Sequence, residues 1–466
     1  MEKKSSFSNV FLKVLTELAE SWDGYPDKKR FAMVEIAIVL CSVFLVATLP
    51  AIATGKTTQM VSASKVTAAS EGDYVLEIYG NANEDSTIDM RDTTHIKLII
   101  FGKKPKTDFA DANYDGKVSM LDVGQTKLII LGKEKELTLV DSADRTVTIP
   151  KPVERIVDLF GSNHAEGIRA LGAIDRIVGI DLSIMGKQWY LGGPLFFPEL
   201  MDLPLVGSYD DPNYEMIIDL DPDVVIMIPE FSPLPDEVQE ILAPADIPVV
   251  ALSFSKPEIF YRETLALGYI LDTEERAEEY INFFQSWTDR VDEVVEELEP
   301  EEKRTVYFEA EAKYYSYGGA KPYMGVPGMV RSAGGRYIYD DVSEWYFEVD
   351  PEEVVERNPD VIFKGTSIGE FGYTLTDTSE LNEVRDELMS RSEMSLVTAV
   401  KNDDVFVISW GVAGGPRKIF GPVFLAKCLY PEKFEDLEPH DFIKEYFEEW
   451  QGIPYQGVYI YPYPPA

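Results

Sequence analysis

Seven short apolar runs rich in β-branched residues constrain this 466-residue chain more than any other feature. Four come early: RIVDLF (155–160), RIVGI (176–180), VVIMI (224–228) and VVAL (249–252). Three follow a gap: TVYFEA (305–310), VIFKG (361–365) and VFVIS (405–409). Helical segments separate them. A strand that is apolar on both faces has to be covered on both, as happens in a parallel sheet whose crossover helices pack on either side. Two sets of runs therefore predict two α/β lobes. The gap holds Tyr280, Phe284, Trp287, Val291, Val294 and Leu298 at three- and four-residue spacing, one apolar stripe on a long acidic helix beginning near Thr273. At about 1.5 Å per residue that helix spans roughly 40 Å. Its periodicity suits an ordinary core helix equally well, but its place between the two sets favours a strut joining the lobes.

The two sets also share a phrase. EMIIDLDPDVVI begins at Glu215 and EEVVERNPDVIF at Glu352, each with a glutamate, a turn of Ile or Val, then Pro-Asp and a buried strand. Taken alone, each is a short helix with an acid in its first turn, favoured by the dipole, and stopped by proline.

With these landmarks in order, residues 137–440 resemble the solute-binding proteins that deliver ferric siderophores, haem or cobalamin to ABC importers. The resemblance rests on LVDSADRTVTIPKPVERIVDLFGSNHAEGIRALGAIDRIVGI at the start, then LPLVGSYDDPNYEMIIDLDPDVVIM, VDPEEVVERNPDVIF and AVKNDDVFVISWGVAGGPR. It implies two lobes with parallel sheets, a rigid helix joining them, a ligand held between them and no enzymatic activity. In cobalamin-binding members a surface glutamate on each lobe pairs with permease arginines, and Glu215 and Glu352 stand at the matching positions. The competing reading makes both of them dipole-favoured helix starts only.

Ligands of open α/β sheets sit beyond the carboxyl ends of the strands. That rule selects Asn163 and His164, Tyr209, Tyr315 and Tyr317, Trp345, and Trp410 with Arg417 in a Gly-rich loop. Aromatic faces suit a large flat chelate, and an arginine suits its carboxylates. Each residue has a plainer reading: Asn163 with Glu166 reads as a capping box, His164 as part of the helix start, and the aromatics as core. The three histidines, His95, His164 and His440, are too scattered to bind a bare transition metal. The cargo is therefore expected to be a whole ferric or corrinoid complex.

Ahead of the lobes one twelve-residue phrase occurs twice, NANEDSTIDMRD at 81–92 and DANYDGKVSMLD at 111–122, each followed by a Lys-Leu-Ile-Ile run. Oxygen-bearing side chains recur at loop positions 1, 3, 5, 9 and 12: Asn81, Asn83, Asp85, Asp89 and Asp92, then Asp111, Asn113, Asp115, Ser119 and Asp122. That spacing wraps a calcium ion in oxygen ligands, with position 7 (Thr87, Lys117) giving only its carbonyl. Two Ca2+ sites are expected, the first weaker because Ser86 stands where the second has Gly116. Asp rather than Glu at position 12, a helix only after each loop, and the duplication make residues 73–134 resemble a dockerin, a small all-α module that binds cohesin domains. Positions 10 and 11, where the best-known dockerins carry hydroxyl residues for cohesin recognition, are Met90, Arg91, Met120 and Leu121, which leaves the partner open.

The uncharged run from Ile36 to Ala53 follows Lys28, Lys29 and Arg30 and is long enough to cross a bilayer. It reads as a single-pass anchor with the bulk of the chain outside the cell, or else as a signal cut after Ala53. A net charge of -39 argues against a nucleic-acid partner. The expected order is a cytoplasmic segment (1–30), anchor or signal (31–54), Ser/Thr-rich linker (55–72), calcium module (73–134), N-lobe (137–272), inter-lobe helix (273–303) and C-lobe with tail (304–466). The expected function is capture of a metal chelate for ABC permease subunits. The alternative is a cell-surface scaffold or adhesion protein that binds a cohesin.

Overall fold

The computed structural model describes residues 74–185, 193–229, 232–254, 256–320 and 325–463. The chain enters through the duplicated loops, each of which runs straight into a helix, α1 (Met90–Ile100) and α2 (Met120–Ile130). The loop-ending carboxylates start these helices, since Asp92 and Asp122 sit at the third helical position and accept the cap residue's backbone N–H. Between the helices lies a small core of Ala82, Ile96, Ala110 and Val123. A hairpin follows, β1 (Glu136–Val140) paired antiparallel with β2 (Thr146–Pro150).

The first lobe is a four-stranded parallel sheet of β3 (Ile156–Leu159), β4 (Ile177–Ile180), β5 (Val224–Met227) and β6 (Val249–Ala251), in spatial order β4-β3-β5-β6. Helix α3 (Gly161–Ala170) follows β3, and α4 (Pro257–Leu271) follows β6. The long acidic helix is α5 (Glu274–Glu296), 23 residues and so about 35 Å. Tyr280, Phe284 and Val291 are buried. Phe284 meets Phe260 of α4 on one side and Phe420 on the other, at 5.0 and 5.5 Å between ring centroids. The stripe thus joins both halves of the chain, as the strut reading requires.

The second lobe has β7 (Thr305–Glu309), β8 (Arg336–Tyr337), β9 (Val361–Thr366), β10 (Val405–Ser409) and β11 (Ile460–Tyr461), ordered β8-β7-β9-β10-β11, with only β11 antiparallel. The shared phrase has one structural job in both lobes. Asp223 accepts the backbone N–H of Glu154 and Arg155, each at 2.8 Å, and so pins the entry to β3. Asp360 accepts the backbone N–H and hydroxyl of Thr305 at 2.8 and 2.7 Å and pins the start of β7. Glu215 and Glu352 lie exposed in the first turns of helices Tyr214–Asp219 and Pro351–Arg357.

The described residues form one compact unit. Among the described residues no helix is long and apolar enough to cross a membrane. The apolar run at 36–53, the cytoplasmic segment and the linker lie outside the described residues.

Candidate ligand cleft and cation loops

The C-lobe sheet delivers polar and aromatic side chains to one place. Glu311 stands just beyond β7, Ser367 directly after β9 and Trp410 directly after β10, and all three line a cleft of about 470 Å³. Strand ends gather these groups because the backbone there leaves the ladder and frees side chains to face a ligand. The Glu311 carboxylate is oriented by the Ser367 N–H and hydroxyl, at 3.2 and 2.8 Å. Lys418 supplies a positive charge to the same cleft. The remaining walls include Tyr317, Trp345, Tyr346 and Phe371, with Val326 and Met329. The rings brace one another: Tyr317 stands edge-on to Trp345 at 6.0 Å and to Trp410 at 6.2 Å, while Tyr346 stacks on Tyr315 at 5.0 Å. Trp345 remains 70% exposed, so most of its surface is open beside the rings that brace it. Gly365 is required beneath Trp410, because a Cβ there would fall 2.5 Å from the indole.

A buried charge cluster stiffens the sheet behind the cleft. Glu309, at the end of β7, accepts both Arg391 guanidinium nitrogens at 2.7 and 3.0 Å and lies 3.0 Å from the Lys364 ammonium. Lys364 in turn donates to the backbone carbonyls of Ala310 and Glu311. The segment carrying Glu311 is held by that ammonium.

Of the residues the sequence singles out for cargo, Tyr317, Trp345 and Trp410 line the cleft, with Tyr315 one ring behind them. The others sit elsewhere. Arg417 is wholly buried over the Phe196 ring, its guanidinium 3.4 Å from the Glu166 carboxylate, so the Gly-rich loop turns it inward and away from this cleft. Asn163 and Glu166 form no capping box: α3 already begins at Gly161, and its cap residue Phe160 makes no side-chain bond. Glu166 instead receives the Tyr446 hydroxyl from the C-terminal part of the chain. Asn163 is buried against the Ser253 carbonyl, and Tyr209 stands edge-on to Phe160 at 5.2 Å. Sequence reasoning passes over Glu311, Ser367, Phe371 and Lys418. The first two follow strands as closely as the aromatics do, and the strand-end rule selects them once residue type is set aside.

His164 is an internal ion-pair partner. Its ring nitrogens lie 2.7 Å from the Asp158 carboxylate and 2.7 Å from the Leu252 carbonyl, both acceptors, so both nitrogens carry protons. Burial alone lowers its pKa, but the Asp158 charge and the two hydrogen bonds outweigh burial and raise it above 6.5. Burial lowers the pKa of His95 and His440. In an NMR titration His164 should therefore deprotonate last of the three. The stability it contributes should be complete below pH 6.5 and decline as pH rises through its own raised midpoint. A His164 midpoint below that of His440 would refute the assignment.

The duplicated loops share a set of hydrogen bonds at matching positions. Asn83 and Asn113 N–H donate to Asp92 and Asp122 Oδ1 at 3.0 and 3.2 Å, and Asp89 and Ser119 N–H donate to the same carboxylates' Oδ2 at 2.8 and 2.7 Å. Thr87 and Lys117 N–H bond Asp85 and Asp115 Oδ1, each at 2.9 Å. The loops differ in their charges. Arg91 lies 3.1 Å from Asp85 and 2.7 Å from Asp89, offsetting two carboxylates of the first loop, whereas the second has Leu121 at that position. Gly116 takes a φ of +89° and donates to Asp111. Burial, with Asp85 and Asp89 adding and two backbone N–H groups opposing, pushes the Asp92 carboxyl up to about 6. Asn81 is fully buried and its Oδ1 has no hydrogen-bond partner, an acceptor suited to a cation. Among the described residues no three Asp, Glu, His or Cys side chains converge as a metal site. A loop cation would thus draw on amide and backbone oxygens as well as carboxylates, which calcium accepts.

Comparison with known proteins decides the class of the large part. The periplasmic binding protein family model matches residues 160–409, more than half of the chain. The chain belongs to that family. This periplasmic binding protein is 25% identical over 346 residues to the molybdate-binding protein MolA of Haemophilus influenzae, covering 68% of this chain and 92% of MolA. It is 24% identical over 294 residues to the petrobactin-binding protein YclQ of Bacillus subtilis, covering 60% of this chain and 84% of YclQ. Among solved structures it is similar to a TroA-like periplasmic binding protein, FepB of Veillonella parvula, with a TM-score of 0.58 at 25% identity, covering 69% of this chain and 98% of that one. The periplasmic binding protein is thus the solute-binding, non-enzymatic component of an ABC importer, with the two-lobed α/β fold of its relatives.

Proposed function

We propose that this protein captures a metal chelate, either a ferric siderophore, haem or a corrinoid, outside the cell and passes it to ABC permease subunits. In this reading the run at 36–53 anchors it in the membrane, and the dockerin-like module binds two calcium ions. The observation that carries the cargo reading is the cleft itself, where Tyr317, Trp345, Tyr346 and Trp410 meet one carboxylate and one ammonium. Ring faces attract a flat, partly apolar ligand, and Glu311 with Lys418 can pair its charged edges. That YclQ binds petrobactin supports a large organic cargo. MolA binds molybdate, which keeps a small oxyanion as the competing cargo.

The calcium reading is supported by the repeated bond pattern and the unpartnered Asn81 oxygen. Exposed Met90, Met120 and Leu121 at loop positions 10 and 11, at 54, 59 and 66%, mark where a cohesin would dock under the scaffold alternative.

Titration of the full chain with a ferric siderophore, haemin, cobalamin and molybdate, followed by tryptophan fluorescence, tests the cargo. At least one chelate should bind saturably. Trp410→Ala and Trp345→Ala should each weaken binding about fivefold to tenfold, the worth of one good aromatic contact. Binding of molybdate with none of the chelates would overturn the chelate reading.

A further inference from the structure

We propose that cation binding in the duplicated loops stabilises the cargo-binding lobes themselves, because the module forms a wall of the first lobe. The inference rests on the calcium reading above and extends it from the loops to the rest of the protein.

Three kinds of contact join module and lobe. The segment before the first loop pairs with the hairpin: Tyr79 N–H donates to the Thr138 carbonyl at 2.9 Å, and Val140 N–H to the Glu77 carbonyl at 2.8 Å, with Ile78 opposite Leu139. Helix α4 reaches across with two polar side chains. Arg262 binds the Glu77 carboxylate at 2.6 Å, and the Tyr269 hydroxyl accepts the Ile88 N–H at 3.2 Å. Leu76, Ile78, Ile88 and Ile129 belong to the same hydrophobic core as the lobe's own Leu137 and Leu139.

One of these contacts starts inside the cation loop and the others flank it. Ile88 stands between Thr87 and Asp89, inside the loop. The Asn81 amide, at the first ligand position, donates to the carbonyls of Leu76 and Asp85 at 2.8 and 2.6 Å, while its Oδ1 is buried without a partner. An ion bound to that oxygen would fix the side chain that ties Leu76 to the loop. Helix α4 carries the effect onward: Glu263, next to Arg262, accepts the N–H groups of Ser253 and Phe254 at 2.6 and 2.7 Å, just beyond the end of β6. Whatever binds only the folded loop stabilises every element that unfolds with it.

Tryptophan placement makes the test selective. None of the six lies between residues 74 and 135: Trp189, Trp287, Trp345, Trp410 and Trp450 fall in the lobes or the helix between them, and Trp22, ahead of the module, is replaced by Phe in the test protein. Thermal unfolding of the full chain is followed by tryptophan fluorescence with calcium and with chelator, and calcium binding is measured separately by isothermal titration calorimetry. At calcium a hundredfold above its dissociation constant the tryptophan midpoint should rise by about 3 °C or more. Asp85→Asn combined with Asp115→Asn should remove the rise. Tyr269→Phe combined with Arg262→Gln should shrink it while calcium affinity falls less than twofold, with circular dichroism confirming the fold and Tyr269→Phe alone serving if the pair does not fold. Calcium binding that leaves the tryptophan midpoint unmoved would overturn the coupling and spare the calcium reading. No calcium binding at all would overturn both.

Discussion

Reversing both Glu215 and Glu352 to lysine is expected to abolish import while chelate affinity and folding stay nearly unchanged. The two carboxylates occupy equivalent places on related lobes: each is exposed, in a helical first turn, ahead of a Pro-Asp pair that pins its own sheet. A transporter with two membrane subunits presents two similar docking faces, and one acid per lobe reports that both lobes are engaged. Under the proposed docking, lysine at both sites would set like charges against permease arginines at a cost of several kcal/mol. Neither glutamate lines the cleft, so fluorescence titration of the variant should match the parent. Undiminished uptake by cells carrying the double variant would place the docking surface elsewhere and leave both residues as dipole-favoured helix starts.

Glu309→Ala should be the most destabilising single substitution in the C-lobe. It removes the buried counter-charge of Arg391 and Lys364, whose side chains are only 3 and 7% exposed, and leaves Arg391 with the half-exposed Glu387 carboxylate at 2.6 Å. Two buried cations are then left sharing that one carboxylate. Breaking a buried pair in this way costs about 3–5 kcal/mol, far more than an exposed ion pair is worth. The loss should appear as a lower denaturant midpoint with an unchanged slope. Replacing the whole cluster with apolar side chains, by combining Glu309→Leu, Lys364→Met and Arg391→Met, should recover most of the stability. The recovered variant should still bind cargo less tightly, since the Lys364 ammonium no longer holds the carbonyls of Ala310 and Glu311. A single Glu309→Ala variant within about 1 kcal/mol of the parent would show that solvent reaches the cluster and screens it.

The architecture was legible because it is written in periodicity. VFVIS at 405–409 is a strand over those same residues, and the stripe from Tyr280 to Val294 lies on one helix. Burial on both faces of a parallel strand leaves no polar alternation to confuse the signal. The shared phrase signals two related lobes, but in sequence its aspartates look like helix stops and nothing more. Their capping of β3 and β7 spans 68 and 55 residues and leaves no local trace. The cleft was half legible. Trp345, Tyr317 and Trp410 stand out by size, while Glu311 and Ser367 carry no signal beyond their place after a strand. Arg417 and His164 mislead for a common reason: charge suggests a ligand, and the fold supplies an internal partner in Glu166 and in Asp158. The duplicated loops were legible as a repeat, but the burial of Ile88 against a helix far along the chain was not.

That burial sets an order of events during biosynthesis. Ile88 and its partner Tyr269 are 181 residues apart. A chain threaded out from its N-terminus at about 5–20 residues per second presents the loop some 10–40 s before helix α4 arrives to cover it. Through that interval Ile88 lacks the Tyr269 hydroxyl that accepts its N–H in the finished protein. The interval is set by the distance along the chain between the loop and its cover, so a surface-loop insertion between β2 and α4 would lengthen it and raise aggregation during synthesis while leaving the contacts of the finished protein in place.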